Sequence, residues 1–258
     1  MLDEGLDARS FFFTVFNGVR QGNVLSPVIF NVFINIFVTQ LRQINIGCHL
    51  RSMFIGCLMY ADDMILICPS VRGLQNMLDT CISIGDSISL QFNASKSHCL
   101  AVGRLSRLVI EPMTLGSAQI AWTTSIKYLG ITLMGVKSLA FDSSCVKQSF
   151  FAACNSIYAH AKNLEEVVHL KLQESYCLPI LSYAAAAVKY TTRQEDELNA
   201  SWNSVYKRIF GFNRWESVRA FITGLGRLDL HHIFMLRRLN FYLCLKYRVT
   251  IFYGRAYV

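Results

Sequence analysis

The stretch from Met53 to Pro69, MFIGCLMYADDMILICP, sets two adjacent aspartates, Asp62 and Asp63, between two apolar runs of strand length. Both runs are rich in residues of β propensity, and little separates them except the acids. The pattern predicts a hairpin that holds its only charges at the tip. Adjacent carboxylates repel unless a cation is shared between them. Hard oxygen donors of this kind suit Mg²⁺, which takes one or two protein carboxylates and completes its shell with water and substrate phosphates. An ordinary acidic turn carries the same residue type, because Asp is common in turns. The neighbouring sequence decides between the two.

Upstream, Asn17 to Pro27 reads NGVRQGNVLSP, a Gly-bounded loop carrying Arg20 and Gln21 and ending in Ser-Pro. That ending is N-cap and first-turn chemistry, and it predicts an apolar helix beginning near Ser26. Phe30, Phe33 and Phe37 recur at helical spacing and are expected to face the core. Gln21 and Gly22, just ahead of the helix, place a side-chain amide and an unhindered backbone where a phosphate or a base can approach closely.

GVRQGNVLSP followed by YADD resembles motifs B and C of the reverse transcriptases of non-LTR (LINE-type) retrotransposons. The order downstream is similar as well. A helix predicted over residues 71–91 leads to Phe92–Ser97 (FNASKS), which looks like motif D, and Ile126–Leu133 (IKYLGITL) looks like the motif E, or primer-grip, strand. The resemblance implies an α+β fold. Residues 1–135 would form part of a polymerase palm, an antiparallel sheet with helices on one face, and residues 136–258 a basic, all-helical, thumb-like region. It implies an RNA-directed DNA polymerase that works on an RNA template and a DNA primer with deoxynucleotide triphosphates. By the same resemblance Asp62 and Asp63 would hold the Mg²⁺ ions of nucleotidyl transfer, Asp62 being the more directly catalytic. Tyr60 would pack beside the primer end, Gln21 and Gly22 would touch the template base and the incoming nucleotide, and Lys96 would meet the triphosphate or supply a proton. Tyr128, Leu129 and Gly130 would steady the primer.

One departure accompanies the match. The family needs a third carboxylate, from a motif A strand that precedes motif B and pairs beside the YADD hairpin. The residues before Asn17 offer Asp3, Glu4 and Asp7 in a polar start and then the uncharged run from Ser10 to Phe16, with no strand ending in an aspartate. Ala140-Phe141-Asp142 mimics such an ending but follows motif E, at the start of a predicted helix, and is read as coincidence. The expectation is a chain truncated before motif B, with an unpaired apolar sheet edge, inactive on its own. The alternatives are a non-catalytic nucleic-acid-binding remnant and an interaction protein whose partner supplies the strand.

Composition narrows the rest. Among 258 residues, 53% hydrophobic and 16% charged content excludes a disordered tail. Polar interruptions at Asn31, Asn35 and Ser182, with Pro179, deny any apolar run of spanning length, and the N-terminus lacks signal-peptide order, so an intracellular, non-membrane protein is expected. Nine cysteines without a Cys-x-x-Cys pair are expected to be reduced small hydrophobes, Cys57 and Cys68 within strands. His231-His232 is expected on a helix surface. Residues 1–100 carry six Lys/Arg against seven Asp/Glu, while 101–258 carry nineteen against ten. The net charge of +8 therefore comes from the C-terminal part, which suits a polyanionic partner. Helices are predicted there over 143–164, 165–190 with a break near Pro179, 194–210 ending at Gly211, 216–223 and 230–247.

Overall fold

The structure, a computed structural model, describes Gly22 and residues 24–161 and 163–254. It mixes helices with small antiparallel sheets. The chain forms two compact units, Met1–Cys99 with Glu111–Trp122, and Leu100–Ile110 with Thr123–Val258. The boundary at 135 follows motif order, whereas these units follow contacts, so the two divide 100–110 and 123–135 differently.

In the first unit α1 (Ser26–Gln43) is followed by the short strands β1 (His49–Leu50) and β2 (Met53–Phe54), then by β3 (Cys57–Tyr60) and β4 (Asp63–Leu66). Ser26 is the first helical residue of α1 rather than its cap, Leu25 holding the cap position, and Pro27 lies in the first turn, where a missing N–H costs nothing. Next comes α2 (Val71–Ser87), capped by the Ser70 hydroxyl, which accepts from the Gly73 amide at 3.1 Å. The helix stops short of the predicted Gln91 at a turn where the Leu90 amide donates to the Gly85 carbonyl at 2.8 Å. Ile34, Phe37 and Leu41 of α1 pack with Cys57 of β3 and with Met77, Cys81 and Ile84 of α2. Phe92 meets Phe37 edge to face at 5.6 Å. Phe37 is core as expected and Phe30 is partly buried, but Phe33 is 46% exposed. The apolar residues of α1 encircle it, so spacing alone did not select the covered face.

After α2, a 3₁₀ turn over Ala94–Lys96 leads to β5 (Cys99–Leu100), and a second 3₁₀ turn spans Gly103–Arg107. The hairpin of β6 (Met113–Leu115) and β7 (Ala118–Ile120) then returns to the first unit, ahead of β8 (Trp122–Thr123). Gln75 of α2 fixes β6 from both sides, donating to the Thr114 carbonyl at 2.9 Å and accepting its amide at 3.0 Å. Leu78, Cys99, Met113, Leu115 and Ile120 close a small second core there.

The second unit opens with a three-stranded antiparallel sheet in the order β11-β10-β9, built from β9 (Ser125–Tyr128), β10 (Ile131–Gly135) and β11 (Leu139–Asp142). Helices follow: α3 (Ser144–His160), α4 (Glu166–Tyr176), α5 (Leu178–Ser182), α6 (Thr192–Ile209), α7 (Arg219–Gly224) and α8 (Leu230–Gly254). The predicted break falls at Cys177, with Pro179 in the first turn of α5. Thr191 and Gln194 form a reciprocal capping box at the start of α6, and Gly211 takes the left-handed φ of +70° just past its end. Trp202 and Tyr206 of α6, Phe150 of α3, Leu181 of α5, and Leu230 and Phe234 of α8 are buried together. Arg238 bonds Glu195 at 2.5 Å, Lys147 bonds Glu197 at 2.6 Å and Arg227 bonds Glu174 at 2.8 Å.

Two expectations are corrected here. Ala140-Phe141-Asp142 lies in β11 rather than opening a helix: pairing with β10 holds it extended, and the Asp142 carboxylate accepts the Ser144 amide at 2.8 Å ahead of α3. Cys68 lies past the end of β4 and is only partly buried, and Cys145 and Cys244 are exposed, so burial is not general among the nine free thiols. Cys57 and Cys81 do behave as small hydrophobes, burial pushing their thiols up to about 11 and about 12. His231 and His232 lie on the surface of α8, as expected, and each has an acidic neighbour. His231 lies 3.4 Å from Asp196 and His232 lies 2.6 Å from Asp229.

Among the described residues, no helix is long and apolar enough to cross a membrane.

Candidate active site

The β3–β4 hairpin is in register Cys57↔Leu66, Leu58↔Ile65, Met59↔Met64 and Tyr60↔Asp63. Side chains alternate between faces, so Cys57, Met59, Met64 and Leu66 enter the core under α1 and α2, while Leu58, Ile65, Tyr60 and Asp63 share the other face. Ala61 and Asp62 form the two-residue turn, as the sequence predicts. Ala61 takes φ +51°, a value that costs an L-residue free energy, and the hairpin's core contacts hold it there. Asp62, Asp63 and Tyr60 are exposed, Tyr60 at 64%. Neither carboxylate has a hydrogen-bond or ion-pair partner among the described residues. Two hard, solvated oxygen donors side by side fit a Mg²⁺ ion that keeps several positions for water and phosphate. They do not complete a cage: no group of three or more His, Cys, Asp or Glu suited to a metal occurs among the described residues. Among the described residues, β3 and β4 pair only with each other, in a two-stranded sheet.

Two further features of the first unit support the hairpin. Asn93 caps the 3₁₀ turn, its Oδ1 accepting the Ser95 amide at 3.0 Å and the Ser95 hydroxyl at 2.7 Å, which leaves Lys96 exposed at the end of a fixed turn. Gly73 is a supporting residue that sequence reading missed. A Cβ there would lie 2.6 Å from the Cys68 Sγ, so glycine lets α2 pass directly over the exit of β4. A glycine in the first turn of a helix is the only sequence signal for it. Gly22 is exposed with φ +81°, and Gln21 lies outside the described residues.

Tyr128, Leu129 and Gly130 belong to the second unit. The motif E segment is a hairpin rather than a single strand. β9 and β10 pair Tyr128↔Ile131, and Leu129 and Gly130 form the turn between them. Their φ values of +45° and +77° are the pair that a type I′ turn requires, which Gly accepts freely and Leu does not. A Cβ at Gly130 would also press on Tyr183 at 3.3 Å. Gly130→Ala is therefore expected to destabilise the second unit by about 1 kcal/mol or more, and Leu129→Asn to stabilise it by about 0.5–1 kcal/mol. Thermal unfolding of the two variants checks both signs. The structure thus brings together Tyr60, Asp62 and Asp63, places Lys96 in the same unit, and places the residues 128–130 in the other.

Residues 5–133, half of the chain, match the family described as "Reverse transcriptase (RNA-dependent DNA polymerase)". Over 123 residues the chain is 32% identical to the "Retrovirus-related Pol polyprotein from type-1 retrotransposable element R2" of Nasonia vitripennis, covering 44% of this chain and 12% of that protein. It is 31% identical over 124 residues to the Pol polyprotein from type-2 retrotransposable element R2DM of Drosophila melanogaster, covering 44% and 11%. A type-1 element R2 polyprotein of Popillia japonica matches more loosely and further, at 24% over 207 residues, or 76% and 33%. The chain spans only a fraction of the length of each of these relatives. Motifs, order and match agree: the chain belongs to the reverse transcriptase (RNA-dependent DNA polymerase) family, in its non-LTR retrotransposon branch.

Proposed function

We propose that this chain is the motif B to motif E part of an RNA-directed DNA polymerase that adds nucleotides to a primer 3′-hydroxyl on an RNA template. The observation that carries the reading is the pair of exposed, uncommitted carboxylates at the tip of the β3–β4 hairpin, inside the segment that matches the family. Asp62 and Asp63 would hold Mg²⁺. The chemistry supplied there is activation of the primer hydroxyl and neutralisation of charge on the leaving pyrophosphate in an in-line displacement. Tyr60, cross-strand from Asp63, presents a ring to the primer end. Lys96 offers a cation to the triphosphate, Gln21 and Gly22 line the template base and incoming nucleotide, and Tyr128 to Gly130 steady the primer. The basic second unit gives the nucleic acid its electrostatic grip.

Among the described residues no third carboxylate joins Asp62 and Asp63, and two alone leave the developing charge under-compensated, so the 258-residue chain alone is expected to be inactive. Primer extension on RNA with Mg²⁺ tests this, comparing the chain with a fusion that carries a family-type fingers and motif A segment. Extension by the fusion only is the expected result. Extension by the chain alone would show that two carboxylates suffice; extension by neither would favour a non-catalytic nucleic-acid-binding role.

A further inference from the structure

The last helix of the second unit, α8, meets the core through its first turns. Leu230 and Phe234 are buried with Trp202 and Leu181, and Arg238 bonds Glu195 and donates to the Ala185 carbonyl at 3.1 Å. From Leu239 through Tyr247 every residue is exposed. That stretch is not polar. Leu239 and Leu243 stand on one side of the helix and Phe241 and Leu245 on another, so neither side is built to face water. A helix apolar all round is normally covered, and among the described residues no helix is long and apolar enough for a bilayer core to cover it.

The side turned away from the core has an order of its own. Leu236, Leu239 and Leu243 are 46%, 51% and 39% exposed. At about 100° per residue they fall on the face opposite Leu230 and Phe234. Their i, i+3, i+7 spacing is the apolar row of a heptad seam, with Met235 and Tyr242 along one flank. Lys246 takes the next position of the row, three residues after Leu243.

Charge decides which occupant fits this row. From Leu230 to Gly254 the sequence has no Asp or Glu, whereas Arg237, Arg238, Lys246 and Arg248 are basic. A second copy of α8 would bring like charges together and offer Lys246 no acid in either orientation. A phosphate backbone would match the charge and leave the leucines uncovered. A lipid surface takes one apolar face and needs a polar one opposite, which Phe241 and Leu245 deny. An apolar row with acids along its flanks satisfies both demands.

We propose that the outward face of α8 docks an acidic amphipathic helix of a partner protein. Its apolar row lies against Leu236, Leu239 and Leu243, with a Glu or Asp beside Lys246. Apolar contact supplies the affinity, and charge sets register and choice of partner. The docking is independent of the polymerase chemistry and requires neither metal nor nucleic acid.

Anisotropy of a fluorescein-labelled 21-residue peptide tests the site with the full chain. The peptide has three heptads with leucine at a and d and glutamate at e and g; a second peptide carries lysine at e and g. The glutamate peptide is expected to bind, less tightly as salt is raised, and the lysine peptide to bind at least tenfold more weakly. Leu239→Asp should weaken binding of the glutamate peptide by about tenfold or more, and Lys246→Glu should narrow the difference between the two peptides. Leu239 lies outside the core, so thermal unfolding is expected to be unchanged; Leu243→Asp, measured beside it, should give the same loss. No binding of the glutamate peptide, equal binding of both peptides, or wild-type affinity in both leucine variants overturns the proposal. So does a wild-type dimer in light scattering that the leucine variants dissolve, which would make a second copy the occupant. Binding to phosphatidylserine–phosphatidylcholine vesicles that is lost in the same variants overturns it in favour of a lipid surface.

Discussion

Asp62→Asn, introduced into the fusion that supplies a third carboxylate, is expected to lower primer extension by on the order of 10²–10³-fold or more, with protein stability unchanged. The asymmetry follows from the hairpin. Asp62 is exposed at the turn, bonded to nothing among the described residues, so its loss removes charge without removing packing. Asp63→Asn should cost activity as well, though less, if Asp62 is the residue closer to the reacting oxygen. Single-turnover extension across a range of Mg²⁺ concentrations checks this. A purely structural role would leave the Mg²⁺ dependence where it was, whereas loss of a metal ligand shifts it upward. Activity in Asp62→Asn within a few-fold of the parent would sink the assignment.

The largest effect on stability is expected at Trp202. It is 1% exposed and meets Phe150 at 6.3 Å and Tyr206 at 5.6 Å, ring to ring, in the core of the second unit. Trp202→Ala should cost about 3–5 kcal/mol, a large part of the 5–15 kcal/mol that typically holds a domain folded. Trp202→Phe should cost less than half as much. The indole Nε1 is buried without an acceptor among the described residues, so phenylalanine keeps an aromatic ring and removes an unsatisfied donor. Urea unfolding of the two variants, followed by far-UV circular dichroism, gives the comparison. Equal penalties would mean that the Nε1 has a partner after all.

How far the fold could be read in advance varies from element to element, for physical reasons. The YADD hairpin was legible because apolar strands flank two acids too closely for any longer loop, and α6 because helical periodicity and a terminal glycine agree, although the Thr191–Gln194 capping box that starts it was not read. Phe33 was not, since periodicity finds a helix but not which of its apolar faces another element covers. The partner of His231 was hidden for a related reason: Asp196 comes from α6, more than thirty positions away, and sequence spacing reports only local neighbours. Asp142 was assigned to a helix start because the pairing of β11 with β10 is a tertiary event that local propensity does not register. At the site, the residue types of Asp62, Asp63 and Lys96 could be assigned. The strained Ala61 turn and the glycine that seats α2 on β4 could not, because both depend on backbone geometry.

The interleaving of the two units constrains how this polypeptide can be made and dissected. Residues 100–110 belong to the second unit, yet 111–122 return to the first to bring Met113, Leu115 and Ile120 over Leu78. A ribosome that has released only the first hundred residues has therefore not yet released the pieces that close that small core, and the nascent hairpin must wait for the β6–β7 segment. A gene cut at Cys99 would leave Leu78 and Cys99 without their cover. The shortest fragment expected to keep the YADD hairpin in a sealed setting runs through Trp122, with the excursion between retained as a tether.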